Sequence, residues 1–143
     1  CAMLAAAEIR AIDAFATGGE PVAGVVIDAL DSMAGRKAIW ENVILPRTTF
    51  VEVVVSVRMG AESGSIFTVR PGVARERIWY EANGLYSDDE AMPLPCTNRA
   101  TSYCTSIAAA LAVYQVKRIM MRQRPIFRRI EFDLDGFMFV VDE

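Results

Sequence analysis

The chain has 143 residues, of which 53% are apolar, and its formal net charge is −3. This length and apolar content are typical of one compact domain with a substantial core, which excludes a wholly disordered protein. The small negative charge gives no general attraction to nucleic acid, so no nucleic-acid partner is expected. The sequence has no histidine and three cysteines without a C-x-x-C pair. A zinc site or a histidine base is therefore not expected either.

The longest apolar run, residues 107–116, is too short to cross a bilayer, so we expect no membrane partner. The alanine-rich start lacks the features of a secretory leader. Reduced thiols are the default for three unmatched cysteines, which favours a cytoplasmic protein. Because the chain begins with cysteine inside a helical pattern, we expect it to be a fragment or processed piece of a longer protein.

The first elements predicted along the chain are a helix, a strand and a second helix. Residues 2–15 carry apolar side chains at helical spacing, and paired glycines and a proline end the pattern. Residues 22–30 form a short apolar run, typical of a strand that is buried on both faces. The next helix is predicted at residues 31–45, with Asp31 or Ser32 as its N-cap.

The remaining elements continue the alternation. Residues 48–60 are strongly β-branched and predict a second buried strand. A third strand, a short helix, a long helix and a closing hairpin are predicted, in that order, at residues 63–72, 73–86, 101–122 and 128–143. The hairpin turn is placed at Asp135 and Gly136. The alternation predicts an α/β domain, a Rossmann-like three-layer fold with a largely parallel sheet.

The glycine-rich turn of a nucleotide-binding fold is missing from this chain. No G-x-G-x-x-G occurs, although such a sheet normally opens with a strand, that turn and a helix. The strand at residues 22–30 would then present an unpaired apolar edge, which folded proteins avoid. We therefore expect the N-terminal nucleotide-binding half to lie in a preceding segment that supplies the neighbouring strands.

Two stretches together resemble the ThiF/MoeB/HesA family, the ubiquitin-activating-enzyme-like adenylyltransferases. The first is VVIDALDSMAGRKAIWE. In the family, a strand that ends in D-x-x-D is followed by a helix with an arginine, and Asp28, Asp31 and Arg36 occupy these positions. The resemblance implies that Asp31 lies near the phosphates of ATP and their magnesium ion, since Mg²⁺ prefers carboxylate oxygens. Asp28 and Arg36 are interpreted as structural.

The second stretch is PLPCTNRATSYCTSIAAALAVYQVKR. Thioester-forming members of the family carry a cysteine-threonine-x-arginine motif ahead of a helix, which Cys96, Thr97 and Arg99 match. The resemblance implies that Cys96 accepts an activated carboxylate as a thioester, and that Arg99 lowers the pKa of its thiol. Cys104 lies within the apolar helix and is interpreted as a core residue.

The resemblance maps residues 1–143 to the C-terminal part of a ThiF-like adenylation domain. It implies ATP- and Mg²⁺-dependent adenylation of the C-terminal carboxylate of a ubiquitin-like or sulfur-carrier protein, and it implies a homodimer. The family's glycine-rich loop, ribose-binding acid and lysine lie upstream, so this chain alone is not expected to adenylate. The stretches SVRMGAESG and IWYEANGLY are assigned to a surface near the substrate tail, without roles for single residues.

Other interpretations remain open. The chain could be a non-catalytic Rossmann-like interaction module, or one half of a split enzyme. Asp31 could be only a helix N-cap, and Cys96 only a small buried side chain. The basic segment KRIMMRQRPIFRR is explained either as a solvated helix end or as a docking surface for an acidic partner.

Overall fold

The computed structural model describes residues 22–87, 101–124 and 126–143. The predicted helix at residues 2–15 and the motif of Cys96 and Arg99 lie outside the described residues. The described elements are, in chain order, β1 (Gly24–Asp28), α1 (Met33–Ile39), a π-helical turn (Trp40–Ile44), a 3-10 turn (Leu45–Arg47), β2 (Val51–Met59), β3 (Ser63–Val69), α2 (Ala74–Gly84), α3 (Ser102–Met120), β4 (Arg129–Asp133) and β5 (Met138–Asp142).

The strands of the described segments form one sheet in the order β1-β2-β3-β4-β5. β1 and β2 are parallel, while the three following pairs are antiparallel. The α/β class is confirmed for these segments, but the largely parallel sheet is not. Residues 60–62 alone join β2 to β3, and residues 134–137 alone join β4 to β5. Connections this short can only return the chain antiparallel, since a parallel crossover needs a dozen residues or more.

Helices pack on both faces of the sheet. On one face, the small side chains of Cys104, Ala108 and Ala112 bring α3 close to Val53 and Val55 of β2. Their spacing of four residues places these three on a single stripe of the helix. On the other face, the core is formed by the side chains of Trp40, Ile44, Val51, Val54, Phe67, Val69 and Tyr80. From Val53 to Val55, successive residues of β2 thus face opposite layers, as strand geometry requires.

The helix predicted at residues 31–45 is α-helical only over Met33–Ile39. Its N-cap is Ser32 and not Asp31, because the Ser32 hydroxyl accepts a hydrogen bond from the Gly35 N–H at 3.1 Å. The chain then widens into the π-helical turn and tightens into the 3-10 turn that contains Pro46. Pro46 has no N–H to donate, so a regular helix cannot continue through it.

The strand predicted at residues 22–30 is β1, but it is not buried on both faces. It lies at one end of the described sheet, paired with β2, and Ile27 is 50% exposed. The other strands, α2, α3 and the hairpin turn agree with the sequence prediction to within a few residues. Within the described segments, every helix falls short of the combined length and hydrophobicity that spanning a bilayer requires.

Candidate functional site

A buried polar network joins the end of β1 to α1 and β2. The Nη1 of Arg36 donates hydrogen bonds to Asp28 Oδ2 at 3.0 Å and to Ser56 Oγ at 2.9 Å. The Ser56 hydroxyl also donates to Asp28 Oδ2, at 3.0 Å. The Nη2 of Arg36 donates to the carbonyl oxygens of Leu30 and Val57. Since these contacts occupy the guanidinium, Arg36 is a structural anchor, as the sequence predicted.

Asp28 is committed to the same network. Its Oδ1 accepts a hydrogen bond from the Leu30 N–H at 3.2 Å, while its Oδ2 contacts Arg36 and Ser56. Both carboxylate oxygens therefore have partners within the chain. Asp28 closes the end of β1 and fixes where α1 begins, and it offers no ready oxygen to a metal ion.

Asp31 is the exposed carboxylate of the D-x-x-D motif. It follows β1 directly and precedes the N-cap Ser32. Where the structure describes the chain, no three acidic or cysteine side chains converge as metal ligands. Mg²⁺ bound with a nucleotide often takes only one or two carboxylates and fills its shell with waters and phosphates. The position and exposure of Asp31 fit that single-carboxylate role, whereas Asp28 does not.

Arg58 lies beyond Ser56 on the same face of β2. Its guanidinium carbon is 4.4 Å from the centre of the Phe67 ring and 5.2 Å from that of Tyr86. Its Nε and Nη2 atoms are shielded from solvent and have no hydrogen-bond partner among the described residues. Burial lowers the pKa of Arg58, interaction with the Tyr80 hydroxyl opposes this shift, and the charge of Arg36 lowers the pKa further. An arginine nevertheless stays protonated in proteins, so a positive charge is held here.

No role was predicted for Arg58, although the sequence holds a signal. A lone charge follows the run at residues 53–57, in which only Ser56 is polar, and lies two residues before Gly60. A strand that is buried on both faces rarely keeps an arginine unless something pairs with it.

Tyr80 of α2 belongs to the core beside this network. Its ring centre lies 4.8 Å from that of Trp40 and 6.0 Å from that of Phe67. Burial raises the pKa of its hydroxyl. The cavity beside Tyr80, Trp40 and Asp28 measures only about 10 Å³, which is room for one water molecule. A ligand larger than water does not fit in this cavity.

Of the three cysteines, Cys104 alone lies among the described residues. Cys104 is fully buried, and its thiol donates to the Ser63 carbonyl oxygen at 3.4 Å. Burial raises the pKa of this thiol, which opposes formation of a thiolate. Cys104 is thus a core residue, as predicted. Cys96 and Arg99, the predicted nucleophile and its activating cation, lie outside the described residues.

The basic segment is partly neutralised by the chain itself. Arg129 donates to Asp142 Oδ2 at 2.8 Å, and Arg118 donates to the Tyr114 hydroxyl at 2.7 Å. The guanidinium carbon of Arg128 lies 5.0 Å from the ring centre of Trp79. A cavity of about 560 Å³, lined by side chains that include Arg70, Glu76, Arg124 and Arg128, opens beside this segment.

No family model matches the sequence, and a search of curated proteins finds no match.

Proposed function

We propose that this chain is the C-terminal part of a Rossmann-like adenylation domain of the ThiF/MoeB/HesA type. The intact protein uses ATP and Mg²⁺ to activate the C-terminal carboxylate of a ubiquitin-like or sulfur-carrier protein. One observation carries the proposal. The two acids of D-x-x-D have different surroundings, with Asp28 locked to Arg36 and Asp31 exposed at the carboxyl end of the parallel pair β1 and β2. Ligands of α/β sheets bind at that end of the strands.

The proposed chemistry uses Asp31 to position the nucleotide. Its carboxylate would hold a Mg²⁺ ion, which would neutralise the charge of the ATP phosphates. A carboxylate oxygen of the carrier tail then forms a bond to the α-phosphorus, and pyrophosphate leaves. The hydrogen-bonded network of Asp28, Arg36 and Ser56 holds the end of β1 in place while the bond to the α-phosphorus forms. The reacting atoms therefore keep their relative positions.

Cys96 is the nucleophile in the second proposed step. Its thiolate attacks the acyl carbon of the adenylate, a thioester forms and AMP leaves. Adenylate is a good leaving group, so the thiolate requires access and a lowered pKa, which Arg99 supplies. A homodimer is part of the proposal, as is a cytoplasmic location.

The test is ATP–pyrophosphate exchange by the intact protein with a candidate carrier. We expect Asp31→Asn to lower exchange at least about tenfold, with a higher Mg²⁺ requirement. Glu41→Gln, which neutralises another exposed carboxylate near α1, is the matched control and should exchange like the wild type. Full exchange by Asp31→Asn would remove Asp31 from the site. No exchange by the wild type would reject the adenylation proposal.

Cys96 is tested separately in the same assay. If it is the thioester nucleophile, Cys96→Ala retains exchange but loses the thiol-sensitive carrier adduct seen on a non-reducing gel. Loss of both signals would place Cys96 in the adenylation step or in the fold. Because Cys104 is buried, Cys104→Ala should keep the adduct and serves as the control.

A second candidate function is supported by β5. This edge strand carries exposed apolar side chains on both faces, including Met138 at 54%, Phe139 at 58% and Val141 at 47% exposure. Such an edge is typical of a surface that another chain covers. It favours an interaction module or one half of a split enzyme. Concentration-dependent association that Phe139→Lys abolishes, without exchange in any preparation, would support this function over adenylation.

A further inference from the structure

We propose that Arg58 binds an anionic oxygen group of the ligand, either a carboxylate or a phosphate, at the carboxyl end of β2. The inference deepens the proposed function and rests on it only for the identity of the ligand. The binding site itself is argued from the surroundings of Arg58.

The side chain of Arg58 carries a partly buried charge with unsatisfied donors. Two nitrogen atoms of Arg58, Nε and Nη2, are shielded from water without a hydrogen-bond partner among the described residues. The nearest buried carboxylate network is committed, because Asp28 is paired with Arg36 at 3.0 Å. The Tyr80 hydroxyl interacts with the guanidinium, but Nε and Nη2 remain without an acceptor. Donors that are shielded from water without an acceptor are unfavourable, and an incoming anion would supply one.

Two aromatic rings lie beside the guanidinium of Arg58. Phe67 and Tyr86 lie 4.4 and 5.2 Å from its central carbon, and such contacts with aromatic rings stabilise the cation. The Nε and Nη2 atoms belong to one edge of the guanidinium plane. That edge is the one that forms two parallel hydrogen bonds with a carboxylate or a phosphate. The two unpartnered atoms thus form a preorganised fork of the shape that an oxyanion requires.

Arg58 and Asp31 both lie at the carboxyl ends of the parallel strands β2 and β1. Asp28 pairs with Ser56 across the parallel strands, and Arg58 lies two residues beyond Ser56, about 7 Å along the strand. Asp31 follows Asp28 by a similar distance in sequence. A carboxylate for a magnesium ion and a cation for an oxyanion therefore leave the sheet at the same edge, where α/β domains bind ligands. Tyr86, whose ring centre lies 5.2 Å from the guanidinium carbon, is 36% exposed.

The experiment observes Arg58 directly. The intact protein is labelled with ¹⁵N-arginine, and the Nε–Hε signal of Arg58 is assigned by its absence in Arg58→Lys. The probes are sodium pyrophosphate, ATP and an acetylated peptide that ends in Gly-Gly with a free carboxylate. The same peptide with a C-terminal amide is the control. We expect a saturable shift of the Arg58 signal with at least one anion and none with the amide. A response to pyrophosphate and ATP alone identifies a phosphate site, and a response to the free peptide alone identifies a carboxylate site.

Variants make the inference falsifiable. Arg58→Lys should weaken binding of the active probe at least about tenfold, because a lysine cannot form the bidentate contact. The control Arg70→Lys, in an exposed arginine already paired with Glu76, should bind like the wild type. Arg58→Met should unfold at a denaturant concentration no lower than the wild type, because the variant removes two shielded donors, Nε and Nη2, that lack acceptors. Unchanged affinity in Arg58→Lys, or a clearly less stable Arg58→Met, would overturn the proposal.

The chain's own acidic residues are the remaining alternative partner. Asp88 and Asp89 follow Tyr86 closely in the sequence. If Asp88→Asn with Asp89→Asn moves the Arg58 signal without added anion, Arg58 is paired within the chain and the ligand proposal fails. Because these readouts need no turnover, a failed exchange assay with an intact Arg58 response would reject adenylation and leave the anion site standing.

Discussion

Asp28 and Arg36 form a buried ion pair in which Arg36 Nη1 lies 3.0 Å from Asp28 Oδ2, with side chains only 6% and 4% exposed. The pair connects the last residue of β1 to the middle of α1. Ser56 contacts both members, so the network also includes β2. Removing one member leaves the other charge buried, and this asymmetry determines the outcome of a substitution.

We expect Asp28→Ala to lower the free energy of unfolding by about 3–5 kcal/mol, because Arg36 would be left buried without its counterion. Urea titration followed by tryptophan fluorescence measures the change. The control is Glu76→Gln, which breaks the more exposed pair with Arg70 and should cost no more than about 1 kcal/mol. Equal losses in the two variants would contradict the structural role assigned to Asp28.

Gly64 is predicted to be intolerant of a side chain. A Cβ at this position would lie 2.7 Å from two ring carbons of Phe132 and 2.9 Å from the carbonyl oxygen of Arg58. The strands would have to separate, so Gly64→Ala should cost about 1–3 kcal/mol. Thermal unfolding provides the measurement. Gly72→Ala has its nearest contact at 3.4 Å, and stability within about 0.5 kcal/mol of the wild type is expected there.

The Cys104 thiol should react slowly with thiol reagents in the folded protein. In a variant with Cys1→Ser and Cys96→Ser, we expect the remaining thiol to react at least about 100-fold more slowly with a disulfide reagent in the native state than in denaturant. Rapid native labelling would show that Cys104 does not pack against the sheet as the structure has it.

The same thiol produces a pH dependence. Burial raises its pKa in the folded state, whereas the unfolded thiol ionises near pH ~8.5. Above that pH the unfolded state binds fewer protons than the native state, so the free energy of unfolding falls as the pH rises. We expect Cys104→Ala to reduce this slope, and urea titrations at pH 7.5 and at pH 9.5 would check it. An identical slope in the variant would assign the effect to another group, such as Tyr80.

Gln115 connects α3 to the sheet from a fully buried position. Its Nε2 donates to Thr68 Oγ1 at 2.9 Å and to the Phe127 carbonyl oxygen at 2.6 Å. Gln115→Met keeps the volume but leaves both acceptors without a donor, so a loss of about 1–3 kcal/mol is expected in chemical denaturation. Gln123→Met changes an exposed glutamine and should alter stability by less than about 0.5 kcal/mol.

Local patterns predicted the elements well, because apolar periodicity and breaking residues act over short distances. The β-branched run of β2 and the long apolar stripe of α3 were both visible in the sequence. Strand direction was harder, although the short glycine-containing connection at residues 60–62 between two β-rich runs is a hairpin signal. The predicted alternation of helices and strands favoured a largely parallel sheet instead, and that prediction did not take the hairpin signal into account.

Candidate site residues were named only where the family resemblance supplied a motif. Asp28, Asp31 and Arg36 were singled out by that resemblance, and the structure gives them distinct surroundings. Arg58 was missed because its significance depends on Phe67 and Tyr86, which reach it from other elements. Periodicity reports which face of a strand a residue occupies, but it does not report which distant side chains meet there.

The connection lengths have a kinetic consequence. β2 with β3, and β4 with β5, are local hairpins, whereas β3 pairs Ser63 with Asp133 after two intervening helices. Hairpins form in microseconds, but closing the long intervening segment costs entropy before its contacts compensate. We expect joining of the hairpins to limit the rate of folding. Substitutions at the β3–β4 seam, such as Gly64→Ala, should then slow refolding, and so should changes that weaken the β4–β5 turn, because that hairpin forms before the limiting step.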